Sequence, residues 1–314
     1  MTLTAVGVTG RGTRRAIVAG VILPDEADVQ VRRGTRVNAT ARASSQAGVT
    51  AITAAVLASH AVVWAVDRAT QSGQVLTVAV VAPLRPDAAV LPVDTACAAA
   101  YIADGVCARR PGLNAVVEIL YGDPVAHLAL VSEDADLIVL DATGDGRSDA
   151  VVARSRCPVT VVPADGVLEV DATAPVVVGI KDLAGSAHLL RFAALEAVRA
   201  ERPLDVLHLW TYPGPRVYDE AMAILGSEKE RLLAKAVDPI ADALPGLQVT
   251  SVVTLGRAEH ALVEASHSAA LVVLGSREDR WRSPRLLGPT RRGILDGATC
   301  PAVTVPDAPA MAHV

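Results

Sequence analysis

Two stretches decide how this chain is read: RCPVTVVP (Arg156–Pro163) and TCPAVTVP (Thr299–Pro306). Each sets a Cys-Pro pair before a β-branched run and closes on proline. β-branched residues suit a pleated strand, and the flanking prolines bound it. Both stretches predict a short strand, and their near identity suggests one structural unit present twice.

The segments before them extend the match. DLIVLD (Asp136–Asp141) aligns with ALVVLG (Ala270–Gly275). YGDPVAHLALVSEDA, from Tyr121, runs without a gap against LGRAEHALVEASHSA, from Leu255. Further back, VTAITAAVLASHAVVWA, from Val49, matches VVGIKDLAGSAHLLRFA, from Val177, with His60 opposite His188. The offset grows in two steps, which predicts a duplicated domain with two length differences.

Each copy alternates strands and helices. In the second, PVVVGI (Pro175–Ile180) is a continuous apolar run, as in a parallel strand buried on both faces. Gly185 and Ser186 precede a helix with Ser186 as its cap. LDVLHLW is strand two. A long helix from about Asp219 to Leu244 is expected to break or kink near Pro239. LQVTSVVTL, ALVVLG and PAVTV supply strands three to five. The first copy repeats the order as VTAIT, VLTVAVV, AVVEIL, DLIVLD and PVTVV. Strands and helices alternating in this way predict a parallel sheet with right-handed crossovers.

Composition narrows the function. Length alone, 314 residues, suggests about two domains. Apolar residues make up 51%, and the net charge of −5 leaves no electrostatic footprint for nucleic acid. The apolar runs fall short of the ~20 residues that span a bilayer. Cys97, Cys107, Cys157 and Cys300 show no CxxC spacing, so small buried thiols in a reducing cytoplasm are expected. No GK[ST] phosphate loop occurs. Residues 1–46 fall outside the repeat. TRRAIVAGVIL in this extension faintly resembles a twin-arginine export signal, and no small-residue cleavage site follows it directly.

The order and repetition of VVVGIKDLAGS, GDPVAHLALVSEDADLIVLD and CPVTVV resemble the universal stress protein family, in a tandem two-domain arrangement. The resemblance implies two Rossmann-like α/β domains, each a five-stranded parallel sheet flanked by helices. The expected division is an extension at 1–46, a first domain at 47–163, a linker at 164–172, a second domain at 173–306 and a tail at 307–314. The family's domains commonly pair through their last strands, so Val159–Val162 and Ala302–Val305 are expected to pair antiparallel. Trp64 and Trp210 are expected in the core, and Trp281 at the surface.

The resemblance also implies an ATP site, with an acid ending strand one and a loop G-x2-G-x9-G-[S/T] after strand four. Glycines there let backbone N–H groups approach phosphates. The second copy has GSREDRWRSPRLLGPT: Gly275 and Gly288 keep two of the positions, and Thr290 is a substitute for the missing hydroxyl. Glu278 replaces the middle glycine, Pro289 the hydroxyl residue and Lys181 the strand-one acid. Arg277, Arg280, Arg282, Arg285, Arg291 and Arg292 surround the loop and read as a solvated basic segment. In the first copy Thr53 stands at the strand-one position. The stretch from Asp141 to Cys157 is 16 residues long against 25 from Gly275 to Cys300, so nine residues of the loop are missing.

Three weaker constellations read as ordinary surface. Asp141, Asp145, Gly146 and Asp149 resemble a calcium loop but lack its closing glutamate. His260, Glu264 and His267 share an outward helix face. His60 and His188 have no nucleophile partner. The expected protein is therefore a cytoplasmic, non-catalytic binding or regulatory module with degenerate nucleotide sites. The alternative is an ATP-binding protein that switches or hydrolyses slowly through its second domain. No cofactor is expected; ATP, if bound, is held weakly. Expected partners are the chain's own second domain, another copy in a homodimer, or an unidentified protein, with neither nucleic acid nor membrane.

Overall fold

The structure, a computed structural model, describes residues 15–23, 39–82, 95–164, 171–183, 185–210, 219–276 and 288–307. The chain divides into two compact units, Met1–Cys157 and Pro158–Val314.

In the first unit, β1 (Arg15–Ile22) is followed by α1 (Ala39–Ala58), α2 (His60–Ser72), β2 (Leu76–Ala82), α3 (Thr95–Arg109) and β3 (Ala115–Tyr121). Then come α4 (Pro124–Val131), β4 (Ala135–Asp141) and α5 (Arg147–Arg154). The strands lie in the order β3-β2-β1-β4, all parallel. The second unit opens with β5 (Val159–Val162), then β6 (Val176–Ile180), α6 (Ala187–Arg199), β7 (Leu204–Trp210) and α7 (Asp219–Ala243). It continues with β8 (Val249–Leu255), α8 (Ala258–Ser266), β9 (Leu271–Gly275), α9 (Pro289–Gly297) and β10 (Ala302–Val305). Its parallel strands run β10-β9-β6-β7-β8, and β5 pairs antiparallel with β10, Thr160 facing Val303.

This overturns the expected start of the first domain. VTAIT is not a strand but part of α1, where Val49, Ile52 and Val56 are buried at spacings of three and four. The true strand one, β1, lies within the 1–46 stretch set aside as an extension. Register makes the equivalence plain. Ile17 pairs with Leu76 and Leu137, and Val176 pairs with Leu204 and Leu271. Ile17 is thus the counterpart of Val176, and Thr53 has no place at the end of strand one. The first unit carries a long insertion between β1 and α2, including α1, which meets α2 at 61°.

Other expectations need smaller changes. Strand β5, ascribed to the first domain, falls in the second unit, which begins at Pro158. Helix α7 passes through Pro239 as one helix. Trp64 and Trp210 are half-buried; Trp281 lies outside the described residues. Among the described residues no single helix is long and apolar enough to cross a membrane.

Two contacts recur in both units. Strand one carries a glycine, Gly20 or Gly179, pressed against a helix leucine. A Cβ at Gly20 would meet Leu128 Cδ2 at 2.9 Å, and at Gly179 would meet Leu262 Cδ1 at 2.7 Å. The second contact holds the residue just before each Cys-Pro pair. Ser132 and Ser266, both buried, each donate to a carbonyl a turn earlier, Ala129 and Val263, at 2.6 Å. Each hydroxyl then accepts the N–H of the residue before the cysteine, Arg156 at 2.9 Å and Thr299 at 3.1 Å. The helix after strand three is thereby clasped to the entry of strand five. Ser266→Ala removes the acceptor of the Thr299 N–H, and the expected cost is that of one hydrogen bond, about 0.5–1.5 kcal/mol. Urea unfolding of the variant measures it; a loss below ~0.5 kcal/mol, within the range of neutral surface changes, refutes the clasp.

Candidate functional site: the strand ends at the switch point

In both units strand order reverses between strands one and four, and open α/β sheets bind ligands in the crevice at the carboxyl ends there. The two crevices are built oppositely.

In the first unit, β4 ends in Asp141. Its Oδ2 accepts from Ser59 Oγ at 2.6 Å and its Oδ1 from the Ala61 N–H at 2.8 Å. Ser59 is the N-cap of α2 and also accepts from the Val62 N–H at 3.2 Å. The positive end of the helix therefore already holds an anion, supplied by the protein. Two further helix starts of the unit, those of α4 and α5, also have side-chain acceptors for their N–H groups. Asp123 caps α4 through the Val125 N–H at 3.0 Å. Asp145 accepts from the Arg147 N–H at 3.0 Å, and Thr143 from the Ser148 N–H at 3.0 Å, at the start of α5. The carboxylates that resembled a calcium loop serve as caps and surface pairs: Asp145 also meets Arg147 Nε at 2.5 Å.

In the second unit Gly275 stands where Asp141 stands in the first. A Cβ there would meet Leu189 Cδ2 at 3.4 Å, and the counterpart of Leu189 is the fully buried Ala61. A small helix residue makes room for a carboxylate in one unit; a leucine fills the space in the other. None of α6, α8 and α9 has a side-chain cap bond. Ser186, expected to cap α6, sits at the N-cap but donates instead to Leu183 O at 2.9 Å. Gly288 is the buried N-cap of α9, Pro289 opens the helix, and Thr290 follows it half-buried. The structure thus places Gly275 at the end of β9 and Gly288 and Thr290 at the start of α9. Glu278, Arg277, Arg280, Arg282 and Arg285 lie outside the described residues. Lys181 is exposed just beyond β6. Arg292 lies 3.7 Å from Asp296.

No constellation with catalytic geometry surrounds these positions among the described residues. His260, Glu264 and His267 are exposed, as the helix face implied. Among the described residues no group of three or more His, Cys, Asp or Glu could hold a metal ion. None of the four cysteines forms a disulfide. Burial pushes the Cys157 thiol up to about 11 and the Cys300 thiol up to about 12, which removes the thiolate needed for nucleophilic chemistry. The sequence missed the capping aspartates, although Asp141 against Gly275 in the aligned strand ends was a readable signal.

Two outcomes follow. Asp141→Ala leaves the start of α2 short of an acceptor, and the expected destabilisation is about 1–2 kcal/mol, read by urea unfolding. A thiol reagent at pH 8 labels Cys97 and Cys107 in the native protein and reaches Cys157 and Cys300 only in denaturant; rapid native labelling of either buried thiol contradicts the packing.

Comparison with known proteins places this geometry. The universal stress protein family matches residues 173–306. A universal stress protein of Mycobacterium tuberculosis is 29% identical over 207 residues, 61% of this chain and 68% of that one. A second from the same organism is 29% identical over 211 residues, covering 62% and 67%. The crystal structure of a universal stress protein from Archaeoglobus fulgidus has a TM-score of 0.53 at 14% identity, covering 93% of this chain and 96% of that one. A functionally unknown protein from Pseudomonas aeruginosa PAO1 has a TM-score of 0.52 at 15% identity over 92% of each chain. These structural likenesses speak for the fold. The second unit therefore carries the match to the universal stress protein family, over residues 173–306, and the chain is similar to members of that family.

Proposed function

We propose that this is a non-catalytic, cytoplasmic binding module whose remaining capacity for a phosphate-bearing ligand lies in the second unit alone. The carrying observation is the exchange at the end of strand four. Asp141 neutralises the helix start in the first unit, and a phosphate there would have to displace a bonded carboxylate. Gly275 leaves no such charge in the second. The reading as cytoplasmic draws on four cysteines without CxxC spacing or a disulfide, which suit a reducing compartment.

Binding in the second unit is weak on this reading. The sequence substitutes Glu278, Pro289 and Lys181 at three positions the resemblance ties to ATP. A hydrogen bond involving a charged group contributes ~1.5–3 kcal/mol. Three losses at the low end amount to about 4.5 kcal/mol, or roughly a thousandfold in affinity. The arginines of the loop offset part of this in a salt-sensitive way. The second reading, an ATP-dependent switch or slow hydrolase, draws on the three helix starts of the second unit that lack side-chain caps.

Isothermal titration of the full chain with Mg-ATP at about 0.15 M salt separates the two. The expected dissociation constant is in the ~1 mM range, and Glu278→Gly with Pro289→Ser is expected to tighten it at least tenfold. Low-micromolar binding by the unaltered chain favours the second reading. Binding by the unaltered chain that Asp141→Ala raises and Gly275→Asp leaves untouched overturns the assignment to the second unit.

A further inference from the structure

We infer that His208 is a proton-sensitive fastening between β6 and β7, so that acid loosens the sheet of the second unit and spares that of the first. His208 is only 2% exposed. Its Nδ1 lies 3.1 Å from the carbonyl oxygen of Ile180, the last residue of β6. A carbonyl can only accept, so Nδ1 carries the hydrogen and Nε2 is the bare nitrogen. Nε2 is buried with no hydrogen-bond partner. The neutral ring thus fits its place. A second proton would put an N–H and a charge where nothing accepts either, a costly arrangement.

The surroundings do not relieve that charge. Ile180 pairs with His208, and Gly179, one place earlier, packs on Leu262 of α8. Alternation therefore sets His208 on the opposite face, under α6 and α7. Strands β6 and β8 carry no titratable side chain, and Asp205, the other titratable residue of β7, alternates to the far face. Helix α7 contributes Lys229, whose charge opposes protonation. On α6, Glu196 is paired with Arg199 at 2.7 Å, and His188 has its own buried Nε2 without a partner. Burial first, and Lys229 after it, hold the His208 imidazole below its ordinary value of 6.5, against the opposing pull of the Ile180 carbonyl.

The direction of the effect follows. Above pH 6.5 folded and unfolded forms are both neutral at this ring, and stability is complete. As pH falls below that value the unfolded chain takes the proton first, and stability is lost toward the lower folded-state value. Each pH unit in that window shifts the equilibrium up to about tenfold. The first unit supplies an internal control. Ile180 corresponds to Val21, which pairs with Val80, so a fully buried valine stands where the second unit has His208.

Hydrogen exchange of the full chain, corrected for intrinsic rates, tests this between pH 7.5 and 5.5. Amides of 176–180 and 204–208 are expected to lose protection several-fold more than those of 17–22 and 76–81. His208→Val, which gives the second unit the residue the first has at Val80, is expected to abolish the difference, while His188→Gln keeps it. Equal losses in the two units, or a pH dependence that survives His208→Val, overturn the inference. Nitrogen-15 spectra of the wild-type imidazoles give a readout independent of any variant. His208 is expected to remain neutral, with the hydrogen on Nδ1, at pH 6. A ring already charged at pH 6.5 overturns the inference.

Discussion

The central strand of each unit depends on one close approach. Strand one is paired on both sides, so it can meet the rest of the unit only through its two faces. On one face it meets a helix leucine, and it does so closely enough that the strand must present no side chain there. Gly20 and Gly179 provide that bare backbone to Leu128 and Leu262. Glycine in a strand interior otherwise weakens it. Here it sets the depth at which the helix before strand four rests. The buried serine at the end of that helix is then within reach of the chain entering strand five.

Around this shared frame the two units diverge where chemistry would occur. Strand pairings, the glycine–leucine contact and the serine clasp all recur. The strand ends do not. In the first unit Asp141, Asp123 and Asp145 accept N–H groups at the starts of α2, α4 and α5, and the second leaves three helix starts without side-chain caps. The turn after strand three shows the same mixture. Gly122 and Gly256 share φ values of 143° and 152°, which only glycine adopts readily. The next residue is the capping Asp123 in one unit and the non-capping Arg257 in the other. Frame and site have been kept by separate sets of residues.

Most of this was legible in the sequence because continuous apolar runs and turn residues are local signals. The strands of the second unit fell where the β-branched runs put them. The failure in the first unit has a physical cause. VTAIT is β-branched, yet Val49, Ile52 and Val56 also satisfy a helical period, and packing decided for the helix. Aligning the copies through His60 and His188 was right for the helix. It hid the insertion that carries β1 away from it. The site was less legible. Pattern shows that Asp141 replaces Gly275, but not that its carboxylate reaches Ser59 and Ala61, since that contact exists only in the folded chain. The buried serines were equally silent, being ordinary residues at a helix end.

The aspartate that closes the first crevice also bears on how the unit assembles. A helix cap is ordinarily supplied by a neighbour a few residues away, and forms as the helix forms. Here part of the cap comes from a residue 82 positions along the chain. The bonds from Asp141 to Ser59 and Ala61 form only once β4 has docked beside β1. Closing so long a loop costs entropy before any contact repays it. The Asp141 bonds at the start of α2 are therefore long-range contacts that carry the entropic cost of closing that loop. The first unit gains a helix end that reports on the arrival of its fourth strand, and a partly assembled chain exposes that end until then.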